Sequence, residues 1–285
     1  MKAEVGLLTL QHHATRLTLN PRRGGSIHEL RWQGRDLLRP SPAGVGDDPI
    51  DTACFPMVPF ANRVANGRFS YGNERVQLPR NWSGDPHPLH GQGWRLPWSV
   101  AAADASRAIL RFEGGGDAWP WVYRCEQRFL VLPDGVQIEL SIENLSATPM
   151  PAMLGLHPYF PDSGHATVEA RLPRVWLTDS SLLPLSEVPT PDSWSFARSR
   201  PVAGPALDHG FTGWDGRATL RWPDRTLTLD APDCRVLHVY VPKGKDFFCI
   251  EPQTAAPGAL SRGEADEVLP GQRVGIRVTL RAEAA

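Results

Sequence analysis

Two side chains in this sequence have the setting that acid–base chemistry requires. His157 stands between Leu-Gly-Leu at 154–156 and Pro-Tyr-Phe at 158–160, so its imidazole is expected to face an aromatic-walled space. A histidine there can titrate near neutral pH and act as a general acid or base. Glu251 ends the apolar run that begins at Asp246. A carboxylate partly removed from water binds its proton more tightly, which suits a base that works on a hydroxyl group.

Four further residues suggest a polar cradle for a ligand. Asn62 and Arg63 follow a strongly apolar stretch, and His90 precedes a glycine at the end of the same segment. Asp208, farther along the chain, also has apolar neighbours. These side chains offer hydrogen-bond donors and acceptors to a ligand at the floor of an otherwise dry cleft. His87 is a second imidazole that could take the place of His90 in this cradle.

Each of these residues also has an ordinary structural interpretation. His157 could be a core histidine with a satisfied hydrogen bond, and Glu251 could lie at the surface where its strand ends. Arg63 could pair with a nearby carboxylate, and Asp208 could occupy a turn. The residue types alone leave these alternatives open.

A fold made of strands would position these residues. Apolar and polar side chains alternate strictly over 136–142, and a second alternating run at 122–129 is joined to it through the turn Pro133-Asp134-Gly135. Short runs of this kind recur along the chain, without a convincing amphipathic helix, and the 28 prolines suit many strands and turns. The pattern predicts one all-β domain over residues 1–285, a large sandwich of antiparallel sheets.

Four segments carry more specific expectations. Residues 69–78 are predicted to form a hairpin that turns at Gly72-Asn73, and the Pro/Gly/Asp-rich stretch 39–50 is predicted to be a loop. The Pro/Ser-rich stretch 173–206 is predicted to be a long excursion with one or two short strands. Asp208 and the neighbouring His209 are expected in a loop.

Composition excludes several classes of function. Thirty Lys and Arg residues balance 31 Asp and Glu residues, for a net charge of −1, which gives no reason to expect nucleic acid or an anionic membrane as partner. No window approaches 18 apolar residues, and no secretion signal is apparent. The four cysteines lie far apart and form no C-x-x-C pair, so we expect buried free thiols in a reducing compartment, the cytoplasm.

Taken together, ordered pieces of the chain resemble the aldose 1-epimerase (galactose mutarotase-like) family. The pieces are Asn62-Arg63 followed by Gly67-Arg68-Phe69, Leu89-His90-Gly91, Gly155–Phe160, Leu207-Asp208 with Phe211, and Glu251–Thr254. Any one of these short matches is weak. Five in the expected order, over nearly the whole chain, make a fairly specific resemblance.

This resemblance implies a β-supersandwich whose cleft interconverts the α and β anomers of a sugar, without a metal or other cofactor. Glu251 would remove the proton from the anomeric hydroxyl, and His157 would protonate the ring oxygen. The oxygens of this small-molecule sugar substrate would be held by Arg63, His90 and Asp208, with Asn62 beside them.

Three alternatives to a free hexose substrate stay open. A hexose 6-phosphate would require two or more cations, for which the candidates by composition are Arg22, Arg23, Arg31 and Arg35. A carbohydrate-binding or sensor protein could keep the cleft without catalysis. A metal-dependent β-sandwich or cupin-like enzyme could use His87, His90, His157 and Glu251, although the chain has no H-x-H or H-E-x-x-H pair.

Overall fold

Antiparallel strands dominate the computed structural model, which describes residues 6–42 and 48–285. The strands of the first half are β1 (Leu8–His12), β2 (Thr15–Asn20), β3 (Ser26–Trp32), β4 (Arg35–Asp36), β5 (Cys54–Met57), β6 (Arg68–Tyr71), β7 (Glu74–Gln77), β8 (Ser99–Ala103), β9 (Arg107–Gly114), β10 (Tyr123–Leu132) and β11 (Gly135–Asn144). The strands of the second half are β12 (Met150–Ala152), β13 (Gly155–Pro161), β14 (Thr167–Ala170), β15 (Arg174–Thr178), β16 (Pro184–Pro189), β17 (Arg200–Pro201), β18 (Leu207–Thr212), β19 (Arg217–Trp222), β20 (Arg225–Asp230), β21 (Val236–Val241), β22 (Phe247–Gln253), β23 (Asp266–Val268) and β24 (Arg273–Ala284).

Helices play a small part in the described residues. They comprise one α-helical turn, α1 (Ala259–Arg262), and four 3₁₀ turns at Pro49–Asp51, Ala65–Gly67, Gly116–Ala118 and Asp192–Trp194. No helix in this part of the chain is long and apolar enough to cross a membrane.

Two large sheets account for most of the strands. One has eleven strands in the order β1-β2-β3-β5-β13-β22-β21-β18-β15-β16, with β4 also paired to β3. The other has nine, in the order β17-β14-β19-β20-β24-β11-β10-β9-β8. Buried apolar side chains from both sheets form one contiguous core. The all-β architecture with antiparallel sheets, predicted from alternation, is confirmed.

Strand alternation explains the nine-stranded sheet. In β11 the side chains of Val136, Ile138, Leu140 and Ile142 are buried, and the intervening ones are partly exposed. Successive side chains of a strand point to opposite faces, so one face of β11 covers the core. The β10–β11 hairpin pairs Leu132 with Gly135, which confirms the predicted turn.

The centre of the eleven-stranded sheet is buried on both faces. In β13 and β22 nearly every residue is buried. Phe160 pairs with Phe248 across these strands, and their rings stack in the core with centroids 5.6 Å apart. The residues that alternate with Phe160 in β13 and with Phe248 in β22 point to the other face of the sheet. Loops cover that face, not the second sheet. That second face carries His157 and Glu251.

The segment predictions had mixed outcomes. The hairpin at 69–78 is confirmed by β6 and β7. Of the predicted loop at 39–50, residues 43–47 lie outside the described residues, and Pro49–Asp51 forms a 3₁₀ turn. The stretch 173–206 holds three strands, not one or two.

Two of those three strands, β16 and β17, contain proline and lie at sheet edges, where a missing N–H breaks no ladder. The placement of Asp208 and His209 in a loop was wrong. Both belong to β18, which is fully paired with β21.

Candidate active site

Neighbouring strands of the eleven-stranded sheet bring the predicted acid and base side by side. The β13–β22 register, in which Tyr159 pairs with Cys249, puts His157 directly across from Glu251. The β22–β21 register pairs Glu251 with His238 on its other side. Glu251 therefore stands between two histidines, and all three side chains share one face of the sheet.

Glu251 and His157 form a buried pair, with 3.2 Å between Oε1 of the carboxylate and Nε2 of the imidazole. Burial raises the pKa of Glu251 to about 7, although the nearby His238 opposes the rise. Burial and His238 both lower the pKa of His157 well below its ordinary value. The pair therefore consists of a carboxyl group that exchanges its proton near neutral pH and a neutral imidazole.

Asn62 and His90 hold each other in place. The backbone N–H of Asn62 donates to Nδ1 of His90 over 3.1 Å, and the backbone N–H of His90 donates to the carbonyl oxygen of Asn62 over 3.1 Å. Both residues have a left-handed backbone, with φ of 65° and 56°, which is uncommon for residues other than glycine and concentrates at functional sites.

The tautomer of His90 follows from this contact. Because Nδ1 accepts a hydrogen bond, a neutral ring carries its proton on Nε2 and can donate it to a ligand. Burial, followed by the neighbouring His157 and Arg63, lowers the pKa of His90 well below its ordinary value, so the ring is neutral.

Arg63 both forms an ion pair and lines the cavity. Its Nε donates to Oδ2 of Asp85 over 2.7 Å, and Oδ1 of Asp85 accepts the backbone N–H of His87 over 2.8 Å. A guanidinium has five N–H groups, and this contact uses the one on Nε, which leaves the terminal nitrogens to a ligand. His87 does not line the cavity, and its Nδ1 accepts the backbone N–H of Asn66. Of the two imidazoles, His90 is the one at the site.

Asp208 lies at the far side of the cavity and is bound by His238. Nε2 of His238 lies 2.8 Å from Oδ1 of Asp208. Burial raises the pKa of Asp208, but the hydrogen bond and charge of His238 more than offset it, so the net pKa is lowered. Asp208 is therefore ionised at neutral pH.

Aromatic rings surround these polar groups. The ring of His157 stacks between Phe55, at a centroid distance of 4.5 Å, and Tyr159, at 4.7 Å. The guanidinium of Arg39 lies over Tyr159 and over Phe247, 4.2 and 4.4 Å from the ring centroids. The cavity has a volume of about 580 Å³, within the range usual for small-molecule sites.

A larger groove of about 1130 Å³ lies elsewhere, beside the β6–β7 hairpin and Trp121. It is open and has no histidine in its lining. We place the active site in the smaller cavity, because the buried acid–base pair lies there.

Within the described residues, one group of buried side chains could hold a metal ion. The ligand atoms of His157, Cys249 and Glu251 all lie within 4.8 Å of one another. Burial raises the pKa of the Cys249 thiol well above its ordinary value, which disfavours the thiolate that binds metals. This set differs from the one that the sequence suggested, since it includes neither His87 nor His90. All four cysteines are buried free thiols, as predicted.

Comparison with known proteins agrees with this geometry. The family model for aldose 1-epimerase matches residues 6–281. The chain belongs to the aldose 1-epimerase family. Among its relatives, the uncharacterized protein YphB of Escherichia coli K12 is 32% identical over 293 residues, covering 97% of this chain and 99% of its own.

Solved structures of aldose 1-epimerase relatives share the fold. A candidate aldose 1-epimerase from Escherichia coli K12 superposes with a TM-score of 0.91 at 30% identity, over 98% of this chain and 99% of its own. A galactose 1-epimerase from Lactobacillus acidophilus gives a TM-score of 0.82 at 16% identity, over 98% and 94% of the two chains, and shows the fold alone.

In this member of the aldose 1-epimerase family, all six residues singled out from the sequence line one cavity. They are Asn62, Arg63, His90, His157, Asp208 and Glu251. The four arginines considered for a phosphate group, Arg22, Arg23, Arg31 and Arg35, do not line it. Sequence reasoning missed His238, Asp85 and Arg39. His238 was detectable in principle, because it shares a strand face with Tyr240 in the apolar run Val236–Val241.

Proposed function

We propose that this protein is a mutarotase, which interconverts the α and β anomers of a free hexose or a related aldose. The proposal rests on one observation, the buried His157–Glu251 pair with 3.2 Å between its facing atoms. The two sugar oxygens that exchange protons during ring opening are bonded to the same carbon, the anomeric carbon. A base and an acid that serve them must therefore lie side by side, as Glu251 and His157 do.

The reaction is a pair of proton transfers around one bond cleavage. Glu251 takes the proton of the anomeric hydroxyl, the electrons of that O–H bond form the aldehyde C=O, and the bond between C1 and the ring oxygen breaks. His157 gives its Nε2 proton to the departing ring oxygen. Rotation about C1–C2 followed by closure on the other face returns both protons. Each group contributes about 10²–10⁴-fold by general acid–base catalysis.

The charges around the cavity favour a neutral sugar over a phosphorylated one. Among the described residues, three cationic side chains line it, Arg39, Arg63 and Lys245, against five acidic ones, Asp51, Asp85, Asp208, Asp246 and Glu251. The guanidinium of Arg63 is paired with Asp85, and Arg39 is held between aromatic rings while it donates to the carbonyl oxygens of Ile50 and Thr52. A phosphate dianion would meet a net negative lining.

Polarimetry tests this function directly. Freshly dissolved α-D-glucose and α-D-galactose should relax to their usual final rotation faster with the protein than without it, and added inorganic phosphate should not inhibit. Inhibition by phosphate, together with faster relaxation of glucose 6-phosphate, would favour the phosphorylated substrate instead. Sugar binding by calorimetry with no acceleration would favour a binding protein.

The pH dependence should follow the carboxyl group of Glu251. The base works only when deprotonated, and burial raises its pKa to about 7. We therefore expect kcat/KM, measured by polarimetry after subtraction of the buffer rate, to be constant at alkaline pH and to fall as the pH drops through about 7. A flat profile down to pH 5 would contradict Glu251 as the base, because an ordinary exposed glutamate titrates near 4.3.

A further inference from the structure

A chain of hydrogen bonds runs beneath the cavity from Asp208 to Glu251. Asp208 Oδ1 lies 2.8 Å from Nε2 of His238, and Nδ1 of the same ring lies 3.2 Å from Nδ2 of Asn62. That Nδ2 also donates to Oε1 of Gln253 over 3.4 Å, and Nε2 of Gln253 donates to Oε2 of Glu251 over 3.2 Å. The chain links three strands and one loop, and its four members other than Asp208 are buried.

The chemistry of the groups determines which atom donates in each hydrogen bond of this chain. An ionised carboxyl group only accepts hydrogen bonds, and both ends of the chain are carboxyl groups, so one group within the chain must donate toward both ends. The amide nitrogen of Asn62 is that group, because it carries two hydrogens and donates one each way. If the Asn62 amide were flipped, its Oδ1 would face Oε1 of Gln253, and two hydrogen-bond acceptors would oppose each other. In the neutral form of His238, Nδ1 must then accept, so the ring proton lies on Nε2 and is donated to Asp208.

We propose that His238 is a positioning residue for the base Glu251. Its Nδ1 lone pair orients the Asn62 amide, which orients Gln253, which aims an N–H at Oε2 of the carboxylate. That hydrogen bond favours the ionised carboxylate and leaves Oε1 to face the substrate and His157. Neither nitrogen of His238 is available to the sugar, so the residue acts through its neighbours. This inference rests on the proposed function.

Protonation of His238 would break the chain. A second proton, on Nδ1, turns the acceptor of the Asn62 amide into a donor. Burial lowers the pKa of His238, whereas the charges of Glu251 and Asp208 raise it, and the net shift is upward. The titratable and charged groups that interact with it are Asp208 and His209 from β18, Glu251 from β22, Arg63 and His90 from the loops, and His157 from β13. A proton on His238, like a proton on Glu251, therefore stops catalysis.

The variant His238→Gln tests this coupling through the shape of the pH profile. Glutamine offers an NH₂ group and a carbonyl oxygen, so it can keep both links without a titrating group. At acid pH, log(kcat/KM) of the wild-type protein should approach a slope of about two per pH unit, because two protons inactivate it. The slope of His238→Gln should be about one, because only Glu251 titrates. Its kcat/KM at alkaline pH should remain that of the wild type. Equal slopes in the two proteins would overturn the proposal.

The variant His238→Leu removes the acceptor altogether. With Asn62 and Gln253 no longer oriented, the pKa of Glu251 should rise by about one unit, as expected for losing a hydrogen bond to a charged group. Gln253→Met should act in the same direction. The matched control is His12→Gln, since the imidazole of His12 lies on β1, contacts the carbonyl oxygen of Val131 and does not line the cavity. Its profile should match the wild type.

A second readout separates this proposal from the proposed function. The pKa of Glu251 can be followed by ¹³C NMR of the glutamate side-chain carboxyl carbons, assigned with Glu251→Gln, in folded wild-type, His238→Gln and His238→Leu proteins without any substrate. A larger rise in His238→Leu than in His238→Gln supports the chain even if no sugar is turned over. Equal pKa values of Glu251 in the two variants overturn it even if mutarotation is fast.

Discussion

Replacing Glu251 with glutamine should reduce kcat/KM for mutarotation by about 10³–10⁴-fold while the protein stays folded. An amide of nearly the same shape can occupy the site, yet it has no lone pair basic enough to take the proton of the anomeric hydroxyl. The loss should appear in kcat, because proton removal occurs only in the transition state. Polarimetry with freshly dissolved α-D-glucose or α-D-galactose measures it.

The melting temperature of Glu251→Gln should not fall with its activity. Glu251 is a buried carboxyl group whose ionisation is disfavoured by desolvation, so a neutral amide should leave the melting temperature unchanged or raise it. A matched control is Glu126→Gln, another glutamate with a buried side chain. It lies on the nine-stranded sheet and is paired with Arg111 and Arg128. That variant should lower the melting temperature and leave turnover within about twofold of the wild type. Equal turnover in the two variants would remove Glu251 from the mechanism.

The sequence contained enough information for the fold class and for singling out His157 and Glu251 as candidate residues. The alternation in β10 and β11 is strict because one face of each strand meets the core, and this is a local signal. His157 and Glu251 stood out because each is a titratable residue inside an apolar run. The open alternatives were a hydrogen-bonded core position for His157 and a surface position for Glu251. Both depend on tertiary packing and were resolved only by the sheet register.

Residues whose role depends on distant partners were less accessible. Asp85 is important because it forms an ion pair with Arg63. His238 is important because its ring contacts Asp208, which lies 30 residues earlier in the sequence. Nothing in the local sequence pattern specifies these contacts. The choice between His87 and His90 had the same difficulty, since only two loop residues separate an imidazole that binds a backbone N–H outside the cavity from one that lines the cavity.

The stretch before Asp208 shows a different difficulty. Its prolines argue against strands in general, but they are tolerated at sheet edges, and β16 and β17 are both edge strands. Whether a strand is at an edge is a property of the sheet and not of the segment. Asp208 itself was misplaced in a loop because Gly210 interrupts the apolar pattern of β18.

Replacing His157 with asparagine should reduce kcat/KM by about 10²–10³-fold, less than the loss of Glu251. The variant loses the Nε2–H that protonates the ring oxygen, whereas the base remains and water can supply part of the missing proton transfer. Because the imidazole is neutral, with its pKa well below the ordinary value, its removal should not delete a titration from the pH profile. The acid-side fall should persist and move to higher pH, since the carboxylate of Glu251 loses the N–H that lies 3.2 Å from Oε1.

A lower kcat/KM together with a pH profile moved to higher pH distinguishes a catalytic acid from a histidine with a structural role only. A packing role would lower the melting temperature in proportion to the loss of rate and leave the midpoint of the pH profile unchanged. The matched control is His87→Gln, because His87 is a buried imidazole from the same loop as His90 whose Nδ1 serves the backbone of Asn66 outside the cavity. Its rate should remain within about twofold of the wild type. A wild-type rate in His157→Asn, with a profile that has not moved, would mean that the ring oxygen receives its proton from another group lining the cavity, such as His90, whose ring centroid lies 5.6 Å from that of His157.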